Sequence, residues 1–407
     1  MPFKETSLSE ETLRFVTAYL SGAESMVDLC AGYGISRTWG YELVRRYRLS
    51  GVAGLVPRSR APHRHGRAMS YEVASAILEL RGERPSWGPK KLRAVLARRQ
   101  PEQTWPAAST IGDLLRRHGL SQARRRRRRA LPLSRPFAPV RAPNDLWCID
   151  FKGWFRTGDG ERCDPLTMSD ADSRFLLICR HVRPDSAGVE PLVEAALRRH
   201  GLPLAIRSDN GPPFAGRGAG GLTRLAVKWI KLGIRLERTD PGSPQQNARH
   251  ERMHATLKAE TATPPAESLA AQQRRFQRFR RDFNDERPHE ALGQETPRSR
   301  YQSSPRAYPR RIEEPVYGAD QAVRRVRSNG EIKWHGELIF LSEALVGEPV
   351  GLAETDSGDW IVRFADNPIA IIQRRSKKLI AFAPARPGRT NNDRKQNGKT
   401  VSDLSGL

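Results

Sequence analysis

The sequence predicts a multidomain protein: all-α helix-turn-helix units at the N-terminus, a central α/β core, and a small SH3-like β-barrel at the C-terminus. Three observations lead there. The 407 residues exceed one core, since a domain takes about 100–200 residues. The apolar pattern has a helical period over the first ~120 residues, becomes strand-like from Asn144, and turns to short alternating strands after ~320. The charge is uneven: of a net +25, residues 1–145, with 27 Lys+Arg against 12 Asp+Glu, carry +15. With a pI near 10.8, that excess favours a polyanionic partner, most simply double-stranded DNA. Hydrophobic residues make up 38%, below the usual ~45–50%, so cores are modest and surfaces large. No apolar run approaches the ~18 residues that span a bilayer, which argues against a membrane partner. Cys30, Cys148, Cys163 and Cys179 form no C-x-x-C pair, against a disulfide scaffold or a Cys-rich zinc site.

Residues 1–60 form the first unit. Ser7-Leu8-Ser9-Glu10 is a capping-box pattern leading into a helix with Leu13, Val16 and Leu20 on one face. A second helix starts near Ser25 and carries Val27, Leu29 and Cys30. Gly32-Tyr33-Gly34-Ile35 makes a tight connection, and Ser36 caps a third helix that buries Leu43, Val44 and Tyr47 while exposing Arg37, Arg45, Arg46 and Arg48. Helix, short Gly turn and basic helix is helix-turn-helix grammar, with the last helix entering the major groove. After a Pro/Arg/His-rich linker, residues 68–121 repeat the theme. Helices start at Ser70 (Val73, Ile77, Leu80), Pro89 (Leu92, Val95, Leu96) and Ser109 (Ile111, Leu114, Leu115), with Gly119 as the stop. Residues 122–143 form an Arg-rich linker: Arg124, Arg125, Arg126, Arg127, Arg128 and Arg129 are consecutive. Such a block repels itself and follows phosphates without reading bases.

The core spans 144–300. Strands are expected at 146–151, 165–169, 175–182, 205–209 and 234–239, and helices at 187–200, 222–232, 246–260 and 267–283, giving an α/β sandwich on a mixed sheet. The Gly-rich stretch 214–221 reads as a loop. In the barrel, 318–383, Asn329-Gly330 between alternating stretches predicts a hairpin of 323–327 with 331–334. Further strands are expected near 338–341, 350–354, 360–364 and 370–373. Residues 384–407 are polar and read as a disordered tail.

Three carboxylates stand out. Asp150 sits inside the first apolar strand, Asp209 ends a strand in Ser208-Asp209-Asn210-Gly211, and Glu251 opens a helix. A carboxylate in a buried strand is costly unless paired or metal-bound, and converging carboxylates need a cation. All-oxygen ligation suits Mg²⁺ or Mn²⁺, and two ions per site would suit in-line phosphoryl displacement. Lys258, seven residues after Glu251, shares its helix face and could meet a DNA phosphate; Asn210 and Gln246 are candidate supporting groups. His250 and His254 have a zinc-compatible i, i+4 spacing, but no third ligand of that kind is apparent.

Trp147-x-Ile149-Asp150, Ser208-Asp209-Asn210-Gly211 and Pro244-Gln245-Gln246-Asn247-Ala248-Arg249-His250-Glu251-Arg252-Met253-His254 resemble the three signatures of the DDE transposase and retroviral-type integrase core. The closest likeness is to bacterial insertion-sequence transposases with an N-terminal helix-turn-helix, over nearly all of residues 8–382. The resemblance implies a ribonuclease H-like fold and a metal-binding catalytic triad at Asp150, Asp209 and Glu251. It also implies binding to terminal inverted repeats, cleavage of DNA ends and transfer of the 3′-OH strand into target DNA. A homo-oligomer that pairs two ends in the bacterial cytoplasm, at the nucleoid, follows from the same likeness. The alternative is a helix-turn-helix regulator or a catalytically inactive relic.

Overall fold

The computed structural model describes residues 8–57, 69–121, 139–239 and 248–382. The expected Arg run (124–129), Gln246 and the tail lie outside these residues. The chain divides into two compact units, Met1–Ser70 and Tyr71–Leu407.

In the first unit, α1 (Leu8–Leu20), α2 (Met26–Gly32) and α3 (Arg37–Ser50) enclose Phe15, Val16, Leu29, Cys30, Leu43 and Val44. Ser25 caps α2 by accepting the Asp28 N–H, and Ser36 caps α3 by accepting the Trp39 N–H at 3.2 Å. Gly34, at φ +63°, takes the left-handed turn between them. At Gly40 a Cβ would lie 2.8 Å from both Cys30 Sγ and Met26 Sδ, so a side chain there would push α3 off its neighbours. Two expected core residues face outward instead: Leu20 and Val27 are 43% and 57% exposed. The stripe on α1 runs through Phe15 and Val16, and short α2 turns Met26, Leu29 and Cys30 inward at i, i+3, i+4, leaving Val27 outside.

The second unit opens with α4 (Tyr71–Glu83), α5 (Pro89–Arg99) and α6 (Ala108–Arg117), whose buried residues include Ile77, Leu80, Leu92, Leu96, Ile111 and Leu115. Charge ties this bundle to the core that follows. Arg84 pairs with Asp282 at 2.7 Å and with Glu286, and Lys90 pairs with Glu290 at 2.5 Å.

The core contains β1 (Leu146–Phe151), β2 (Phe155–Arg156), β3 (Arg162–Cys163), β4 (Pro165–Asp170), β5 (Leu176–His181), α7 (Ser186–His200), β6 (Ala205–Ser208), α8 (Arg224–Lys231), β7 (Arg235–Arg238), α9 (Ala248–Thr261), α10 (Leu269–Arg281) and α11 (Pro297–Arg300). Five strands form a mixed sheet in the order β5-β4-β1-β6-β7; β1 is antiparallel to β4 and parallel to β6. Side chains alternate across a strand. Trp147 and Ile149 therefore enter the core shared with Val189, Val193, Leu225 and Trp229 of α7 and α8. Asp150 points to the other face, where Met253, Leu257, Phe276 and Phe279 of α9 and α10 pack on Leu176 and Cys179. The two-residue strands β2 and β3, absent from the sequence expectation, form a small hairpin.

The stretch read as a Gly-rich loop is a docking point. Ala219 and Gly220 are buried, the Ala219 N–H donates to the Leu341 carbonyl at 2.9 Å, and a Cβ on Gly220 would meet Ile369 at 2.8 Å. What docks there is the C-terminal part: β8 (Ala322–Arg325), β9 (Glu331–Trp334), β10 (Glu337–Phe340), β11 (Pro349–Glu354), β12 (Trp360–Phe364), β13 (Asn367–Ile372) and β14 (Leu379–Ala381). Its sheets run β14-β13-β12-β11-β8 and β10-β9 around one core containing Val326, Ile332, Val350, Val362 and Phe364. Among the described residues no strand pairing closes them into a barrel. The Asn329-Gly330 hairpin is also corrected. Gly330 does turn the chain, its N–H donating to the Arg327 carbonyl at 2.9 Å. But β8 pairs with β11, and β9 pairs with β10 through His335-Gly336, both left-handed. Val326 and Ile332 both enter the inter-sheet core, so the turn is a corner between sheets. Among the described residues no helix is long and apolar enough to cross a membrane.

Candidate active site

Each carboxylate is delivered by a different element. Asp150 is the next-to-last residue of β1, between Ile149 and Phe151, with 25% of its side chain exposed. Its pKa is pushed up to about 7, first by burial, then by the negative charge of Asp209, with Glu251 adding to it and the nearby Phe151 N–H and Lys152 opposing it. Asp209 follows β6, where the parallel strand runs out into a loop. Partial burial of the carboxyl raises its pKa against the pull of the Gly211 N–H and of Arg238. Arg238, at the end of β7, is itself buried and held down to about 10 by that burial. Glu251 lies exposed in the first turn of α9.

A buried polar network holds α9 in place. His250, Met253, His254, Leu257 and Thr261 form its buried stripe, which leaves Glu251 and Lys258 on the outer side. Thr167 Oγ1 of β4 lies 2.8 Å from His250 Nε2, 2.6 Å from His254 Nε2 and 3.2 Å from the Asp150 carbonyl, and Ser169 Oγ lies 2.9 Å from His250 Nδ1. A carbonyl only accepts, so the single Thr167 proton goes to Asp150 O. Both Nε2–H groups then donate to Thr167, and Ser169 donates to His250. Burial keeps both imidazoles neutral, lowering His250 to about 3 and His254 to about 2. The pair spaced like zinc ligands thus fastens α9 to the strand beside Asp150; His254 Nδ1 stands 3.9 Å from Asp150 Oδ2. These residues are legible in principle, because they lie on the same stripe as Met253 and Leu257.

The other expected residues divide. Arg37, Arg45 and Arg48 are exposed on α3, although Arg45 is paired with Glu42 at 2.8 Å. Arg46 is a correction: it is 6% exposed, donates to the Val56 carbonyl at 2.8 Å, and lies three residues after Leu43 on the buried side. Thr38 and Tyr41 occupy the outer face instead. Asn210 donates to the Thr239 carbonyl, joining the ends of β6 and β7. Among the described residues no three His, Cys, Asp or Glu side chains are close enough to enclose a metal ion. The donor set nevertheless fits a hard divalent cation: oxygen only, mutually repelling, with Asp150 lacking an internal cation strong enough to hold it ionised.

The comparisons with known proteins follow the domain order of the chain. Residues 140–244 and 232–297 match families described as "Integrase core domain", residues 39–115 a "Homeodomain-like domain" and residues 13–63 a "Helix-turn-helix domain". The chain is 30% identical over 225 residues to the uncharacterized 31.7 kDa protein of insertion element IS407 from Burkholderia multivorans, covering 54% of this chain and 77% of that one. It is 30% identical over 158 residues to the uncharacterized 39.2 kDa protein of insertion element IS476 from Xanthomonas euvesicatoria, covering 38% and 43%. Among solved structures it is similar to the HTLV-2 integrase catalytic core domain in complex with magnesium, at 16% identity and a TM-score of 0.30, over 39% of this chain and 97% of that one.

Fold and matches together define a polynucleotidyl transferase-type protein with an integrase core behind DNA-binding helical units. The chain belongs to the insertion-element transposases of the DDE/integrase superfamily that carry an N-terminal helix-turn-helix.

Proposed function

We propose that the protein binds the terminal inverted repeats of its insertion element, cleaves the DNA ends, and joins the 3′-OH strand to target DNA. The observation that carries this is the convergence of Asp150 on β1 with Asp209 after the adjacent parallel strand β6, where the charges of Asp209 and Glu251 both act on Asp150. Asp150, Asp209 and Glu251 would hold two Mg²⁺ or Mn²⁺ ions. Bound there, such ions supply the positive charge that an in-line phosphoryl displacement needs at its attacking and leaving oxygens. The network under α9 fixes the height and rotation of Glu251 over the sheet. Lys258, one helical face-repeat further on, meets a phosphate of the bound end. On α3, Arg37 and Arg48 grip the backbone and Arg45 follows if it leaves Glu42, while the Arg run 124–129 tracks flanking phosphates. The two C-terminal sheets, sharing one core, act as a small SH3-like module on flanking DNA. Two ends are brought together by a homo-oligomer.

The test uses purified protein, DNA from either side of its own gene, and Mg²⁺ or Mn²⁺. Metal-dependent nicking that leaves a 3′-OH, followed by joining, is expected of the wild type. Glu251→Gln should lower both by more than about 100-fold, beyond what loss of an outer metal-site partner costs, while binding persists. Tight binding without cutting in either metal would favour the regulator or relic; equal cutting by both proteins would remove Glu251 from the site.

A further inference from the structure

A basic, aromatic platform stands beside the candidate site and no step above uses it. After β1 the chain turns through Gly153, at φ +85°, and presents Trp154 to solvent at 57% exposure. It lies four positions after Asp150, so the two backbones lie within about 14 Å. A free surface Trp is normally mobile, but this one is framed. The guanidinium of Arg162 lies 5.2 Å from its ring centre and that of Arg156 5.9 Å away. Each Arg is itself anchored: Arg162 on Asp164 at 2.8 Å and Arg156 on the Gly160 carbonyl at 2.6 Å. Arg156 and Arg162 are register partners across β2–β3, opposite the inward pair Phe155 and Cys163, so both share the outer face. The hairpin is fixed from behind, with the N–H groups of Gly158 and Asp159 each donating at 2.8 Å to the carbonyls of Ala266 and Glu267.

We propose that Trp154, with Arg156 and Arg162, is a stacking site for an unpaired DNA base next to the reacting phosphate. The ring is 57% exposed even with the two guanidinium groups over it, so a base can stack where the ring is open while those groups complement the phosphates on either side. Inside an intact duplex the bases are already stacked on each other, so a duplex offers the ring only the outer face of a terminal pair. The ligand is therefore DNA with a frayed or single-stranded end. This inference rests on the proposed cleavage reading for its place in the reaction, but its test does not require cleavage.

Anisotropy titrations would compare two labelled duplexes of one sequence, one blunt and one with a short single-stranded extension, against the full-length protein in EDTA. The wild type should bind the extended duplex more tightly, by roughly 5- to 150-fold, the range expected for stacking one base on an aromatic ring. Trp154→Ala should bring that ratio close to one with blunt-duplex affinity unchanged, and Trp154→Phe should keep most of it, which also guards against an Ala variant that folds poorly. A wild-type ratio of one, an undiminished ratio in Trp154→Ala, or equal weakening on both DNAs would overturn the site. Glu251→Gln should keep the wild-type ratio. A Trp154-dependent ratio in a protein that never nicks DNA would sink the catalytic reading and leave this one standing; nicking with no ratio would do the reverse.

Discussion

Two aspartates at opposite ends of one strand pair meet opposite fates. Asp170, opposite Trp147 on β4, is 1% exposed. One of its oxygens accepts the Asn144 N–H at 2.7 Å; the other accepts the Ser173 N–H and hydroxyl at 2.7 and 2.6 Å. Asn144 is in turn held by Trp147 Nε1 and the Tyr301 hydroxyl, both donating to its side-chain carbonyl at 3.1 and 3.2 Å. Burial still raises the pKa of Asp170, but these donors oppose it. Asp150, at the far end, faces two repelling carboxylates, with only the nearby Phe151 N–H and Lys152 to oppose them. A buried carboxylate that serves the fold comes with its own donors, whereas Asp150, under the proposed function, is left to be satisfied from outside.

That contrast can be broken from either side. The largest effect on stability is expected at the satisfied end. Asp170→Ala strands the Asn144 and Ser173 donors and should cost about 3–5 kcal/mol in denaturant unfolding, since each buried unsatisfied group costs about 1–3 kcal/mol. A loss under ~1 kcal/mol would mean the network is not structural. A smaller loss is expected at the positioning network. Thr167→Val removes the acceptor shared by His250 and His254 and should destabilise by about 1–3 kcal/mol. Because α9 then loses its anchor beside Asp150, nicking should fall mainly in kcat with little change in DNA affinity, and Thr167→Ser should recover most of it. Equal loss of binding and turnover would make Thr167 only a fold residue.

Much of this was legible in the sequence, and the gaps have physical causes. The β1 strand and its carboxylate could be read because an Asp between Ile149 and Phe151 in an apolar run has few structural excuses. The helices at 71–117 could be read because their apolar stripes keep the helical period without interruption. Arg46 was misplaced by judging residue type over position, since the i+3 relation to Leu43 already turns it inward. The Asn329-Gly330 hairpin holds at its turn, where the Arg327 N–H donates to the Glu331 carbonyl at 2.8 Å, but goes no further, because local turn chemistry does not decide which strand pairs next; the shared burial of Val326 and Ile332 does. The β2–β3 hairpin, two residues per strand, carries too short an alternation to register.

The central claim is that Asp150 is an unsatisfied carboxylate awaiting a cation, and unfolding of the metal-free and Mn²⁺-loaded protein across pH tests it without DNA. An acid whose pKa is raised by folding binds more protons folded than unfolded, so its contribution to stability falls as pH rises through the window between its ordinary 3.8 and about 7. Above that window the penalty is at most about 4 kcal/mol, at 1.36 kcal/mol per pH unit. At pH 8 without metal, Asp150→Asn should therefore be more stable than the wild type, the gap should close toward pH 4, and Mn²⁺ should stabilise the wild type but not the variant. An Asp150→Asn protein that is less stable at pH 8, or that Mn²⁺ stabilises as much as the wild type, would contradict the account.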